Sequence, residues 1–148
     1  YDLDSVDAFS AQKVVNISTR GLVGTGQNVL IGGFIISGNA SKRVLVRAVG
    51  PTLSSFNVNG VLADPELSLL RLQSDGTYAT VRANGDWEAG NDVSQIAAAT
   101  LAAGAYDLPA GSKDASMLVV LPPGTYTTVV SGSGATSGIA LVEVWEVP

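Results

Sequence analysis

Leu67-Ser68-Leu69-Leu70-Arg71-Leu72-Gln73-Ser74-Asp75-Gly76-Thr77-Tyr78-Ala79-Thr80-Val81-Arg82-Ala83 reads as two strands about one turn. Asp75-Gly76 supplies the backbone freedom that a tight hairpin needs, and Leu67 to Leu72 and Thr77 to Ala83 flank it with strand-forming residues. A hairpin is antiparallel, and the rest of the chain keeps that pattern. Upstream, Lys13 to Thr19 sets Val15, Ile17 and Thr19 on one face against Val14, Asn16 and Ser18, the period of a half-buried strand. Gln27 to Ser37 is apolar on both faces (Val29, Ile31, Ile35 and Leu30, Phe34, Ile36) and is expected to run through the middle of the structure. Gly32 and Gly33 inside it point to a bulge or a close backbone approach.

Arg43 to Val49 is a further strand, stopped at Gly50-Pro51 because proline has no N–H for the ladder. Residues 51 to 65 are expected to be a surface excursion. Downstream, Val93 to Ala103 is the one helical stretch: Val93, Ile96, Ala97 and Leu101 share a face, Asp92 is placed to cap it with Gln95 three residues on, and Gly104 ends it. That helix is expected across an open end of the structure. Met117 to Leu121, Thr125 to Ser131 and Ile139 to Val147 complete the strands, joined by Pro122-Pro123-Gly124 and by a flexible stretch from Ser131 to Gly138. The expected fold is all-β, a two-sheet antiparallel sandwich, Ig-like or jelly-roll-like, of about seven to nine strands with a short helix near 92–103.

At 148 residues the chain is long enough for one domain with a real core, expected at 13–148 and preceded by an extension, 1–12. Apolar residues make up 46% and charged residues 14%, which is not the composition of a disordered chain. The formal net charge of −5, with Asp2, Asp4 and Asp7 clustered at the start, argues against nucleic acid, which needs a basic face. No apolar run reaches the roughly 18 to 20 residues of a membrane helix. Tyr1 reads as a processed or trimmed end.

Without cysteine or histidine, thiolate nucleophiles, imidazole bases and the common zinc ligands are all absent. The glycine clusters Gly21 to Gly26 and Gly132-Ser133-Gly134 precede strands, whereas phosphate cradles open a helix. Ser41-Lys42 and Ser112-Lys113 lack the spacing of a Ser–Lys pair. Asp86 and Glu88 share a strand face and could be weighed as an acid/base pair, but a solvated acidic loop is the favoured reading. No catalytic residues are assigned, and the chain is expected not to be an enzyme. The same loop offers Asn84, Asp86, Glu88, Asn91 and Asp92 as oxygen ligands for calcium, which takes six to eight. No other cofactor is expected. Asn39, in a turn, is the candidate glycosylation acceptor; Asn16 matches the pattern but falls within a strand. Trp87 and Trp145 offer a platform for carbohydrate, although Trp145 shares a face with Leu141 and Val147 and reads better as core.

The blocks Val15-Asn16-Ile17-Ser18-Thr19-Arg20-Gly21-Leu22-Val23-Gly24-Thr25-Gly26, Val44-Leu45-Val46-Arg47-Ala48-Val49-Gly50-Pro51-Thr52-Leu53, Leu121-Pro122-Pro123-Gly124-Thr125-Tyr126 and Ala140-Leu141-Val142-Glu143-Val144 resemble a family of domains, often repeated in tandem, in large exported bacterial surface proteins. The resemblance implies an extracellular or cell-surface location and brings no catalytic residues. It also implies that an aromatic-acidic segment such as Tyr1-Asp2-Leu3-Asp4 is a joint between successive copies.

Two functions follow as expectations. One is a structural module of a fibre or surface layer whose residues 1–12 add as a strand to a neighbour's sheet edge, anchored by Tyr1, Leu3, Val6 and Phe9. Its partners are identical subunits, head to tail, or tandem neighbours. The other is a binding module for carbohydrate or another surface ligand, marked by exposure of Trp87, Trp145, Tyr78 or Tyr106 in a shallow groove.

Overall fold

The Asp-Gly turn forms as read. In the computed structural model, which describes residues 16–148, Gly76 takes a φ of 87° and Gln73 N–H donates to Thr77 O at 2.7 Å. Asp75 Oδ1 accepts from both the N–H and the hydroxyl of Thr77, which holds the Asp75 carboxyl below its ordinary value. The strands that this turn joins are two of eight among the described residues: β1 (Asn16–Val23), β2 (Leu30–Ile36), β3 (Lys42–Val49), β4 (Pro65–Leu72), β5 (Tyr78–Asn84), β6 (Ala115–Leu121), β7 (Gly124–Gly132) and β8 (Gly138–Val147). One helix, α1 (Val93–Ala103), and two 3-10 turns, Pro51–Phe56 and Ser133–Ala135, complete the elements of the described residues.

The strands form two four-stranded antiparallel sheets, β1-β8-β3-β6 and β2-β7-β4-β5. First pairs with last, second with seventh, third with sixth and fourth with fifth. This is one long hairpin rolled on itself, the jelly-roll form of the expected sandwich. β3–β8 and β4–β7 pairings close each sheet. Between the sheets lies an inner core to which β3 gives Val44, Val46 and Ala48, β4 gives Leu67 and Leu69, β6 gives Met117 and Leu121, and β8 gives Ala140 and Val142.

The first sheet is covered on its other face as well. There Leu45 and Val49 of β3 and Val147 of β8 pack with Leu53, Trp87, Ile96, Ala99 and Leu108 in an outer core. α1 therefore lies on a sheet face and not across an open end. The face it buries carries Ile96, Ala99 and Thr100, while Leu101, expected inside, is 78% exposed. Asp92 makes no capping bond from its side chain, because its carboxylate is taken by Arg82 at 2.8 Å. Gly104 ends the helix in the left-handed conformation, as expected.

Three further expectations are corrected. β2 is an edge strand and not a central one: among the described residues it pairs with β7 alone, and its second apolar face, Ile31 and Ile35, points outward. Its register is continuous, so Gly32 marks a close approach, where a Cβ would stand 3.0 Å from Thr128 Oγ1 and 3.3 Å from Val142 Cγ1. The register shift of the molecule falls instead between Leu69 and Leu70. Residues 51 to 65 are not a mere surface excursion, since Leu53 and Leu62 are buried and Leu62 N–H donates to Ile139 O at 2.8 Å. Ser131 to Gly138 is a compact turn in which Ser133 N–H donates to Asp64 O at 2.9 Å.

Candidate functional site: the edges of the sandwich and a buried polar row

Among the described residues neither sheet closes into a barrel, so four strands present one unpaired side each: β1 and β6 in the first sheet, β2 and β5 in the second. The β5–β6 side is laced. Arg82 Nη1 of β5 donates to Leu118 O of β6 at 2.9 Å, and Asn84 Oδ1 accepts from Ser116 N–H at 3.0 Å. The following loop adds Trp87 N–H to Asp114 O, 2.9 Å. Side chains thus occupy backbone groups that a sixth-strand edge would otherwise offer to a partner.

The β1–β2 side carries no such cross-link among the described residues. It is closed at one end, where Leu30 Cδ1 lies 2.9 Å from the position a Gly21 Cβ would take. Toward the other end it opens. Ile17 and Thr19 stand opposite Val144 and Val142, on the core side of the sheet, yet both are exposed. Leu30 and Ile36 of β2 pack on the inner core only in part. Residues 1–15, with the proposed anchors Tyr1, Leu3, Val6 and Phe9, lie outside the described residues.

A second feature was not found from sequence. Glu143, Arg47 and Ser116 form one cross-strand row over β8, β3 and β6, on the face that α1 covers. Arg47 is 0% exposed; its Nε is 3.2 Å from Glu143 Oε1, its Nη1 donates to Tyr106 O at 2.7 Å, and its guanidinium lies 4.8 Å from the Tyr106 ring centre. Burial raises the Glu143 carboxyl above its ordinary value, offset in part by Arg47. The Tyr106 hydroxyl is pushed up to about 12, first by burial and then by the Glu143 charge. Arg47 Nη2, Tyr106 Oη, Ser116 Oγ and Trp145 Nε1 are buried without a hydrogen bond of good geometry, although Arg47 still acts to lower the Tyr106 hydroxyl and Trp145 to lower the Glu143 carboxyl. Alternating apolar residues around Arg47 and Glu143 hid the row, since each charge alone reads as the solvent face of a strand.

Asp114 is a buried carboxylate of a different kind. It accepts from Gly50 N–H at 2.8 Å, from Thr52 N–H at 3.3 Å, from the Ser112 hydroxyl at 2.7 Å and from the Thr52 hydroxyl. It anchors the Gly50-Pro51 corner, and its satisfied oxygens give it a structural task.

The 84–92 loop does not gather its oxygen ligands. Asn84 reaches Ser116, Asp92 pairs with Arg82, the Glu88 carboxylate accepts from Gly111 N–H, and Asp86 and Asn91 are exposed. Among the described residues no three acidic side chains come together as a metal site. Asn39 is exposed in the β2–β3 turn, and Asn16 is exposed within β1. Trp87 is buried with its Nε1 donating to Pro109 O at 3.2 Å, so it presents no sugar platform. Trp145 packs in the outer core, as its spacing from Leu141 and Val147 indicated, and lines a shallow cavity of about 350 Å³ with Ala102, Ala103 and Pro148. Tyr78 is exposed and Tyr106 is half-buried. No helix of the described residues is long and apolar enough to cross a membrane.

Fold and edges define an antiparallel β-sandwich module with one laced and one open side. Among solved structures the chain is similar to the pre-peptidase C-terminal domain of a collagenase from Bacillus anthracis, with a TM-score of 0.50 and 11% identity over 88% of this chain and 89% of that one. A protein from Sulfurospirillum deleyianum superposes at a TM-score of 0.42 and 7% identity over 90% of this chain and 98% of that one. The first likeness supports the sandwich fold and nothing more specific; the second is too distant to carry an argument. No family model matches the chain, and no curated protein matches it.

Proposed function

We propose that this chain is an exported bacterial β-sandwich module that works without catalysis, joining like domains into a fibre or surface layer at the cell exterior. The N-terminal residues 1–12 of one copy add as a strand to a sheet edge of the next, with Tyr1, Leu3, Val6 and Phe9 as anchors. The observation that carries this reading is the asymmetry of the sandwich. One side is cross-linked by Arg82 and Asn84, while on the other side core-facing residues of β1 remain exposed. An added strand supplies main-chain hydrogen bonds for affinity and side chains for specificity. A donor at one place and an acceptor at another give a head-to-tail contact that extends without closing. The same contact serves separate subunits and tandem copies.

Electron microscopy of the purified chain with and without residues 1–12, at matched concentration, tests the reading. Filaments from the full chain and monomers from the shortened one are expected. Monomers from both would refute it.

A further inference from the structure

We infer that the acceptor edge is β2, Leu30–Ile36, and that its occupant is the 1–12 segment of a second copy. This rests on the reading of the chain as a self-joining module and adds which of the four edges receives the strand. The edges differ in ways that choose between them. β6 has Ser116 N–H and Leu118 O engaged by β5 side chains, and β5 contributes the Arg82 that does so. β1 exposes Arg20 and the polar Asn16, Ser18 and Thr19. β6 and β2 are both seven-residue strands with no charge, no proline and no bulge, but the free side of β6 is engaged as above, whereas β2, Leu-Ile-Gly-Gly-Phe-Ile-Ile, carries no such cross-link among the described residues. Natural proteins blunt free edges with those devices, and an uncharged apolar edge without them is a template for pairing.

Both faces of β2 would reward an added strand. Outward, Ile31 is 58% and Ile35 71% exposed, on either side of Gly33. An adjacent strand places its own outward side chains within reach of both. Inward, Leu30 and Ile36 are only partly covered, and the seam beside them leaves Ile17 exposed on the core side of β1. Length fits as well. Twelve extended residues span roughly 40 Å against roughly 23 Å for the seven of β2, enough to cover the edge and cross between copies. The donor carries Asp2, Asp4 and Asp7, and the uncharged β2 sets no like charge against them.

The test replaces both outward side chains with lysine, Ile31→Lys with Ile35→Lys, and compares this variant with Val81→Lys on β5. All three sites are exposed, so far-UV circular dichroism and the melting temperature are expected to match the unaltered chain. The β2 variant should raise the concentration needed for assembly by about tenfold or more, and Val81→Lys should leave it unchanged. Hydrogen exchange on the assembled unaltered chain gives a readout free of mutation: protection gained over Leu30–Ile36 and not over Tyr78–Asn84. If the β2 variant assembles like the unaltered chain, or protection appears on β5, the edge assignment is overturned while the self-joining reading stands. If the unaltered chain does not assemble at all, both fall.

Discussion

Arg47 and Glu143 show how a residue's task depends on which face of a strand it takes. Both sit at alternating positions among apolar residues, and both are buried where α1, the Pro51–Phe56 turn and Tyr106 roof the first sheet. Removing water from two charges costs more than their attraction returns unless hydrogen bonds satisfy the rest, and here several polar atoms of the row make no hydrogen bond of good geometry. Arg47→Met alone strands the Glu143 carboxylate and is expected to cost about 3–5 kcal/mol, whereas Arg47→Met with Glu143→Leu should cost far less. Chemical denaturation of the single and double variants measures the difference. A double variant as unstable as the single would show that the pair stabilises the fold outright.

Tyr106 gives the row a signature in alkali. Its folded value of about 12 exceeds the ordinary 10, so the folded chain holds the phenol proton longer than the unfolded chain does. Stability contributed by the neutral phenol is therefore complete below pH 10 and is lost as pH rises from 10 toward 12. Tyr106→Phe removes a buried hydroxyl that makes no hydrogen bond of good geometry and should blunt the loss of stability across that window, with little change at neutral pH. Melting temperatures at pH 8 and pH 11 for both chains check this, and an unchanged alkaline loss in Tyr106→Phe would place its cause elsewhere.

At the scale of elements, strands and turns were legible because their signals are local. Period-two alternation, Asp75-Gly76, Gly50-Pro51 and Gly104 marked β4, β5, the end of β3 and the end of α1 close to where they fall. What was illegible depends on partners distant in sequence. β2 has the composition of a central strand, but centrality is decided by how many neighbours pair with it, and among the described residues β2 pairs only with β7. The nested pairing of first with last strand leaves no mark in any window of residues. α1 was found, yet its buried face was misjudged by about one position in the turn, because the outer core takes Ala99 where the pattern favoured Ala97. Of the proposed sites, the loop 84–92 was read from ligand types alone, and the structure spends those groups on Ser116, Gly111 and Arg82. The open β1–β2 side could not have been read, since exposure of Ile17 on a core-facing position needs both sheets in place.

At the scale of the whole molecule, the described residues form two cores that share strands between them. β3 sends Val44, Val46 and Ala48 inward and Leu45 and Val49 outward, and β8 divides its residues likewise, Ala140 and Val142 against Val147 and Trp145. Unfolding the inner core removes the floor of the outer one, and Asp114 ties the Gly50-Pro51 corner to β6. The two layers should therefore melt as one cooperative unit. Nature supplies separate probes: Trp87 and Trp145 both belong to the outer core, so tryptophan fluorescence reports that layer, while far-UV circular dichroism is dominated by the two sheets. Coincident midpoints in urea are expected from the two signals, and Leu45→Ala and Val46→Ala, one facing each core, should shift both signals together, each by about 1–4 kcal/mol. A fluorescence transition that precedes the dichroism transition would mean that the α1 layer detaches from an intact sandwich, and the shared strand would then not suffice to couple the cores.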